Sequence, residues 1–147
     1  MIYLLDVNLL LAMMDGQHVA HATAHAWFDE FVNEGWASCP ITQNGFVRII
    51  SNAKYPNPTA TPAEAADMLA GAVNSVKGHQ FWADDLSLLS DGNILRDRLL
   101  SPSHITDTYL LALARRHDAL LATLDRRLVT TAVKGGAEYL HVIGAAS

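Results

Sequence analysis

A lone cysteine, Cys39, with no paired Cys/His spacing elsewhere, leaves the chain without an internal disulfide or a structural zinc site. This points to a reducing compartment. The chain starts Met1-Ile2-Tyr3-Leu4-Leu5-Asp6, with no basic segment ahead of its apolar residues. No uncharged run approaches the ~20 residues needed to cross a bilayer. A cytoplasmic protein without membrane association is therefore expected. Positive charge is also scarce, ten Lys and Arg against fifteen Asp and Glu, a formal net charge of −5. That excludes a protein that holds nucleic acid through one broad basic surface. A local basic rim remains open, with Arg48, Arg115, Arg116, Arg126 and Arg127 as its candidates and a solvated surface as the alternative. The Gly-x-Gly-x-x-Gly turn of dinucleotide binding is missing, and no repeat or linker is visible. What remains is a 147-residue chain, half apolar and 17% charged, the size of one domain with one core.

The apolar pattern predicts short strands at 2–5, 36–39, 80–83, 119–123 and 139–143. Helices are expected at 7–14, 18–32, 41–51, 91–100 and 104–117, and Asp125 is expected to open a further short one that Gly135-Gly136 breaks. Thr61-Pro62-Ala63-Glu64 reads as the start of another, running to about Val76, with Thr61 as cap, Pro62 at the first position and Glu64 at the third. Strands alternating with helices imply an α/β fold, a mostly parallel central sheet with helices on both faces and right-handed crossovers, spanning 1–147 as a single domain.

In such a sheet the chemistry lies beyond the carboxyl ends of the strands. Asp6 directly follows the first strand, Asp84 and Asp85 follow the third, and Asp125 lies two residues past the fourth. Asp107 opens a helix that leads into the fourth strand and so runs antiparallel to it, which brings its amino end to the same edge. Each aspartate alone also reads as a helix cap. Together they do not, because three carboxylates at about 5 Å repel by roughly 3 kcal/mol per pair at an effective dielectric of 20. The total, on the order of 10 kcal/mol, rivals the stability of a whole domain. Such a cluster needs a cation or a proton. Oxygen-only ligands select magnesium (Mg2+), with manganese (Mn2+) able to substitute. Such a cation suits phosphodiester cleavage by an activated water. Asn8 and Thr106 are placed to hydrogen-bond the ligands or the water, or else to cap helices.

These residues resemble the PIN-domain ribonucleases, and within them the VapC-type toxins of toxin–antitoxin pairs. The resemblance is carried by Leu4-Leu5-Asp6-Val7-Asn8-Leu9-Leu10, by the segment from Cys39 to Arg48, by Phe81-Trp82-Ala83-Asp84-Asp85, by the segment from His104 to Ala114, and by Ala122-Thr123-Leu124-Asp125-Arg126. The order is the family's, and the segments span nearly the whole chain. The resemblance implies a three-layer PIN-like domain and a magnesium- or manganese-dependent endoribonuclease that acts on structured RNA such as transfer RNA and slows translation. It implies a homodimer and a cognate antitoxin. Asp6, Asp107 and Asp125 match the family's acidic positions, whereas Gln43 stands where the family usually carries Glu.

Other residues are assigned around this centre. Arg48 and Arg126 are taken as RNA contacts, and Asp85 as support at the edge of the metal site. His18, His21 and His25 can share a helix face, but magnesium rarely takes imidazole and no acidic partner is evident. His104, three residues before Asp107, is read as helix-cap surroundings or an RNA contact. Trp27, Trp36, Phe46, Phe81 and Trp82 are read as core or dimer contacts. Two competing functions remain. A haloacid-dehalogenase-type phosphatase also places Asp after its first strand, but needs a second Asp where Asn8 stands. A non-catalytic binding protein with a weakened PIN-like site is supported by Gln43.

Overall fold

The computed structural model describes residues 1–58 and 60–144. Its centre is β1 (Tyr3–Leu5), whose three residues are all buried. β2 (Trp36–Ser38) and β4 (Leu120–Thr123) flank β1, and β3 (His79–Phe81) and β5 (Leu140–Val142) form the edges, giving the order β3-β2-β1-β4-β5. Every pairing is parallel, with Tyr3 level with both Trp36 and Leu120.

Alternation along the strands sends side chains to opposite faces. On one face Tyr3, Leu5 and Trp36 pack under α1 (Val7–Met14), α2 (His21–Phe31), α3 (Pro40–Ile50) and α4 (Pro62–Ser75), through Leu9, Leu10, Trp27, Phe46 and Leu69. On the other, Leu4, Ala37 and Leu121 meet α5 (Ile105–Arg116) through Leu110, Leu111 and Leu113. The fold is therefore three-layered α/β, as expected.

Local signals set the ends that matter. Thr61 and Glu64 close a reciprocal capping box behind Pro62. Asp6 caps α1 directly from the end of β1. At Gly45 a Cβ would lie 2.7 Å from Val7 Cγ2, so glycine lets α3 rest on the first turn of α1. That contact sets the middle of α3 on Val7, the residue that follows Asp6.

Three expectations change. His18 takes the Ala20 N–H on Nδ1 at 3.0 Å, and the helix starts at His21 instead of 18. Residues 91–100 form only a 3-10 turn at Arg96–Arg98. Ile94 bridges to Val133 there, and Leu95 N–H donates to Ala132 O at 2.8 Å, so long-range pairing takes the groups a helix would have used. Asp125 opens no helix. Its Oδ1 accepts from Arg127 N at 2.9 Å in a local turn, and a 3-10 helix follows only at Gly136–Tyr139.

Candidate active site

The site is built on the seam between β1 and β4. Asp6 N–H donates to Ala122 O at 2.9 Å, which carries the parallel pairing one residue past β1 and leaves the Asp6 carboxyl at the carboxyl edge. That carboxyl is buried, at 7% exposure. Its Oδ1 accepts from Val7 N at 2.8 Å and its Oδ2 from Thr123 Oγ1 at 2.7 Å. Thr123 Oγ1 in turn accepts from Asn8 Nδ2 at 3.1 Å and from Asp125 N at 3.1 Å. One hydroxyl thus uses its proton and both lone pairs. Asn8 completes the lock by accepting from Leu124 N at 3.1 Å.

Asp107, the third residue of α5, faces this lock from the opposite layer. Burial, then the charges of Asp6 and Asp125, push its carboxyl up to about 6, against the lowering effect of His104. Asp6 is raised as well, chiefly by burial and slightly by Asp125, while the bonds from Thr123 and Val7 hold it back. The three aspartates therefore share one electrostatic environment. Among the described residues no group of three or more His, Cys, Asp or Glu is gathered closely enough to enclose a metal ion. The arrangement is an open carboxylate rim. Its all-oxygen donors and the elevated Asp107 fit a hard cation that completes its shell with water or phosphate oxygens.

The remaining assignments divide. Asn8 sits in the lock, and Thr106 is exposed one residue before Asp107. Gln43 lies in the first turn of α3, with its amide nitrogen donating to Ser38 Oγ at 2.9 Å. Asp85 is a correction. It pairs with Arg116 at 3.8 Å, and Arg116 is nine residues down α5 from Asp107, about 14 Å along the helix. Asp85 supports that distant end rather than the aspartates.

Arg115 and Arg116 leave the rim with it, Arg115 lying over the Tyr139 ring. Arg126 is exposed next to Asp125 and donates to Gly144 O at 2.8 Å, and Arg48 is exposed on α3. His21 and His25 donate to Ala12 O and Met13 O at the end of α1, which is a structural use. Trp27, Trp36, Phe46 and Trp82 are core residues, whereas Phe81 is exposed. Sequence reasoning missed Thr123 and Ser38 as site residues. The only signal for Thr123 was its place two residues before Asp125, at a strand end.

The PIN domain model matches residues 3–134. Ribonuclease VapC44 of Mycobacterium tuberculosis is 50% identical over 132 residues, 90% of this chain and 92% of that protein. Ribonuclease VapC39 of the same organism is 43% identical over 137 residues, 93% of this chain and 98% of that protein. The crystal structure of Mycobacterium tuberculosis VapC20, described as a sarcin-ricin loop cleaving toxin, superposes with a TM-score of 0.54 at 12% identity, covering 82% of this chain and 85% of that one.

Proposed function

Because the chain belongs to the PIN-domain family, among its VapC-type ribonucleases, we propose that it is the toxin of a toxin–antitoxin pair, a magnesium- or manganese-dependent endoribonuclease that cleaves structured RNA such as transfer RNA and inhibits translation. The observation that carries the metal dependence is Asp107, pushed up to about 6 by burial and by Asp6 and Asp125. A cation beside it would offset that repulsion at neutral pH.

Asp6, Asp107 and Asp125 would hold that cation. When bound, it lowers the pKa of an attacking water and offsets charge on the phosphate oxygens. The chain's own part is to keep the site in shape. Thr123 gives its single proton to Asp6 Oδ2, which favours the ionised carboxylate against the effect of burial, and Asn8 fixes Thr123 and Leu124. Arg48 and Arg126 are the exposed cations for RNA phosphates. Asn8 is committed to the lock, which leaves no second carboxylate for phosphatase chemistry of the haloacid-dehalogenase type.

Incubating antitoxin-free protein with total transfer RNA tests the reading. Cleavage is expected with magnesium or manganese and not with chelator, and Asp6→Asn is expected to abolish it. Cleavage that chelator leaves untouched, or that Asp6→Asn leaves undiminished, overturns the mechanism. The partners are a cognate antitoxin, the RNA and a second copy of the chain, in the cytoplasm. Among the described residues no helix is long and apolar enough to cross a membrane. For the homodimer, Trp27, Phe46 and Ile50 are buried within the chain itself, and the apolar surface left on these helices is Phe31 and Ile49, 42% and 38% exposed. A monomer mass by light scattering at micromolar concentration sinks the dimer. A weakened PIN-fold binding protein is favoured by one observation, the Gln43 amide held by Ser38.

A further inference from the structure

Beside the aspartates runs a second polar chain that the scheme above does not use. Ser38, at the end of β2, is fully buried. Its Oγ accepts from Gln43 Nε2 at 2.9 Å and lies 2.7 Å from Nε2 of His79, the first residue of β3. Ser38 is level with Phe81 and His79 with Trp36, so Ser38 and His79 are diagonal neighbours on one face of the sheet. His79 packs edge-on against Trp36 with centroids 4.6 Å apart.

A serine hydroxyl has one proton and two lone pairs. We take the order in which the Gln43 amide nitrogen donates to Ser38 and Ser38 gives its proton to His79 Nε2, the neutral imidazole carrying its own hydrogen on Nδ1. Burial lowers the His79 pKa, which keeps the ring neutral as this order requires. The end left over is Gln43 Oε1, an acceptor. Gln43 also stands at one end of a groove of about 350 Å³ between α3 and α4. The Gly45–Val7 contact sets the middle of α3 on the first residue of α1, which follows Asp6 in the chain, and β2, which leads into α3, pairs with β1, which leads into Asp6.

We propose that Ser38 and His79 are positioning residues that fix the Gln43 carboxamide with its oxygen free toward the aspartate edge, so that position 43 offers an oriented oxygen to the cation or its water in place of the Glu that the family resemblance implies there. The proposal rests on the metal-dependent reading given above. Without His79 the Ser38 proton is released and can bond the amide oxygen instead, so the amide turns over and presents its NH2 group. Without Ser38 the amide is unheld.

Two measurements test this. In metal-free protein the side-chain amide 1H–15N pair of Gln43, assigned through Gln43→Ala, is expected to shift in both Ser38→Ala and His79→Phe, the latter keeping the aromatic contact to Trp36. An unmoved pair in either overturns the relay. Calorimetric titration with manganese is expected to show roughly ten-fold weaker binding in Ser38→Ala and in Gln43→Ala. Because Ser38 acts through Gln43, the double variant is expected to bind no more weakly than Gln43→Ala alone. Losses that add fully in the double variant, or no loss in Ser38→Ala, overturn the proposal, with melting curves of all variants accounting for any folding defect. A wild-type protein that binds manganese and cleaves no RNA defeats the ribonuclease reading and leaves the relay standing. One that binds no manganese defeats the relay's role.

Discussion

Thr123 holds more of the site than any single aspartate, since one hydroxyl ties Asp6, Asn8 and the backbone of Asp125. Thr123→Val keeps the shape and removes all three bonds. It leaves a buried carboxylate oxygen unpaired, which costs about 1–3 kcal/mol, and cleavage is expected to fall at least ten-fold, with Thr123→Ser restoring most of both. Denaturant melts and rates on one RNA decide this, and wild-type behaviour of the Val variant refutes it. Asp107 gives a pH signature. Its folded pKa, about 6, lies above the ordinary 3.8. Ionisation therefore costs the fold stability, fully above about pH 6 and progressively less as pH falls toward 3.8. In metal-free protein Asp107→Asn is expected to stabilise at pH 7.5 by on the order of 1 kcal/mol, discounted because the group is only partly buried, and to lose most of that gain by pH 4.5. His79, His117 and His141 have lowered values and oppose the trend, so the comparison is variant against wild type at each pH. A pH-independent difference counts against the coupling. At position 43, Gln43→Glu would add a charge to the proposed cation site and is expected to tighten manganese binding and lower the metal concentration for half-maximal cleavage. Equal or weaker binding places position 43 outside the metal shell. The aspartates were legible in the sequence because strand ends and helix starts place them. Ser38 and His79 were not, because a cross-strand bond between residues 41 apart leaves no local pattern.

At the scale of elements, the critical contact is α3 on α1. Gly45→Ala drives a methyl to 2.7 Å from Val7 Cγ2 and must shift one helix. A destabilisation of about 1–3 kcal/mol is expected, together with reduced cleavage, since Val7 adjoins Asp6 and Gln43 rides on α3. Val7→Ala removes the obstructing methyl, so the double variant is expected to regain activity. Failure of that rescue rules out this contact as the cause. Elements with complete local signals were readable: α4 carries its own capping box and α5 a long apolar face. The helix expected over 91–100 was not formed, because Ile94 and Leu95 pair with residues near 132, and that preference is written in the partner segment rather than in the helix pattern. The turn at Asp125 is similar, with its side chain bonding its own backbone two residues on.

Across the whole molecule, alternation of short apolar strands and helices was enough to predict a parallel sheet with two covered faces, because parallel pairing needs crossovers and the crossovers bring helices. It did not give the strand order, since strands of three or four residues carry too little pattern to choose neighbours. That order has a consequence in time. β1 is the first strand of the chain and β4 the fourth, yet they lie side by side, and the bond from Thr123 to Asp6 joins residues 117 apart. Chains emerge from the ribosome amino end first. A nascent chain holding Asp6, Asn8 and Gln43 still lacks Asp107, Thr123 and Asp125, and no partial product ending before β4 can close the lock. The lock around Asp6 therefore closes only once β4 has been made, so the site of this ribonuclease is completed as a single late event in its own synthesis.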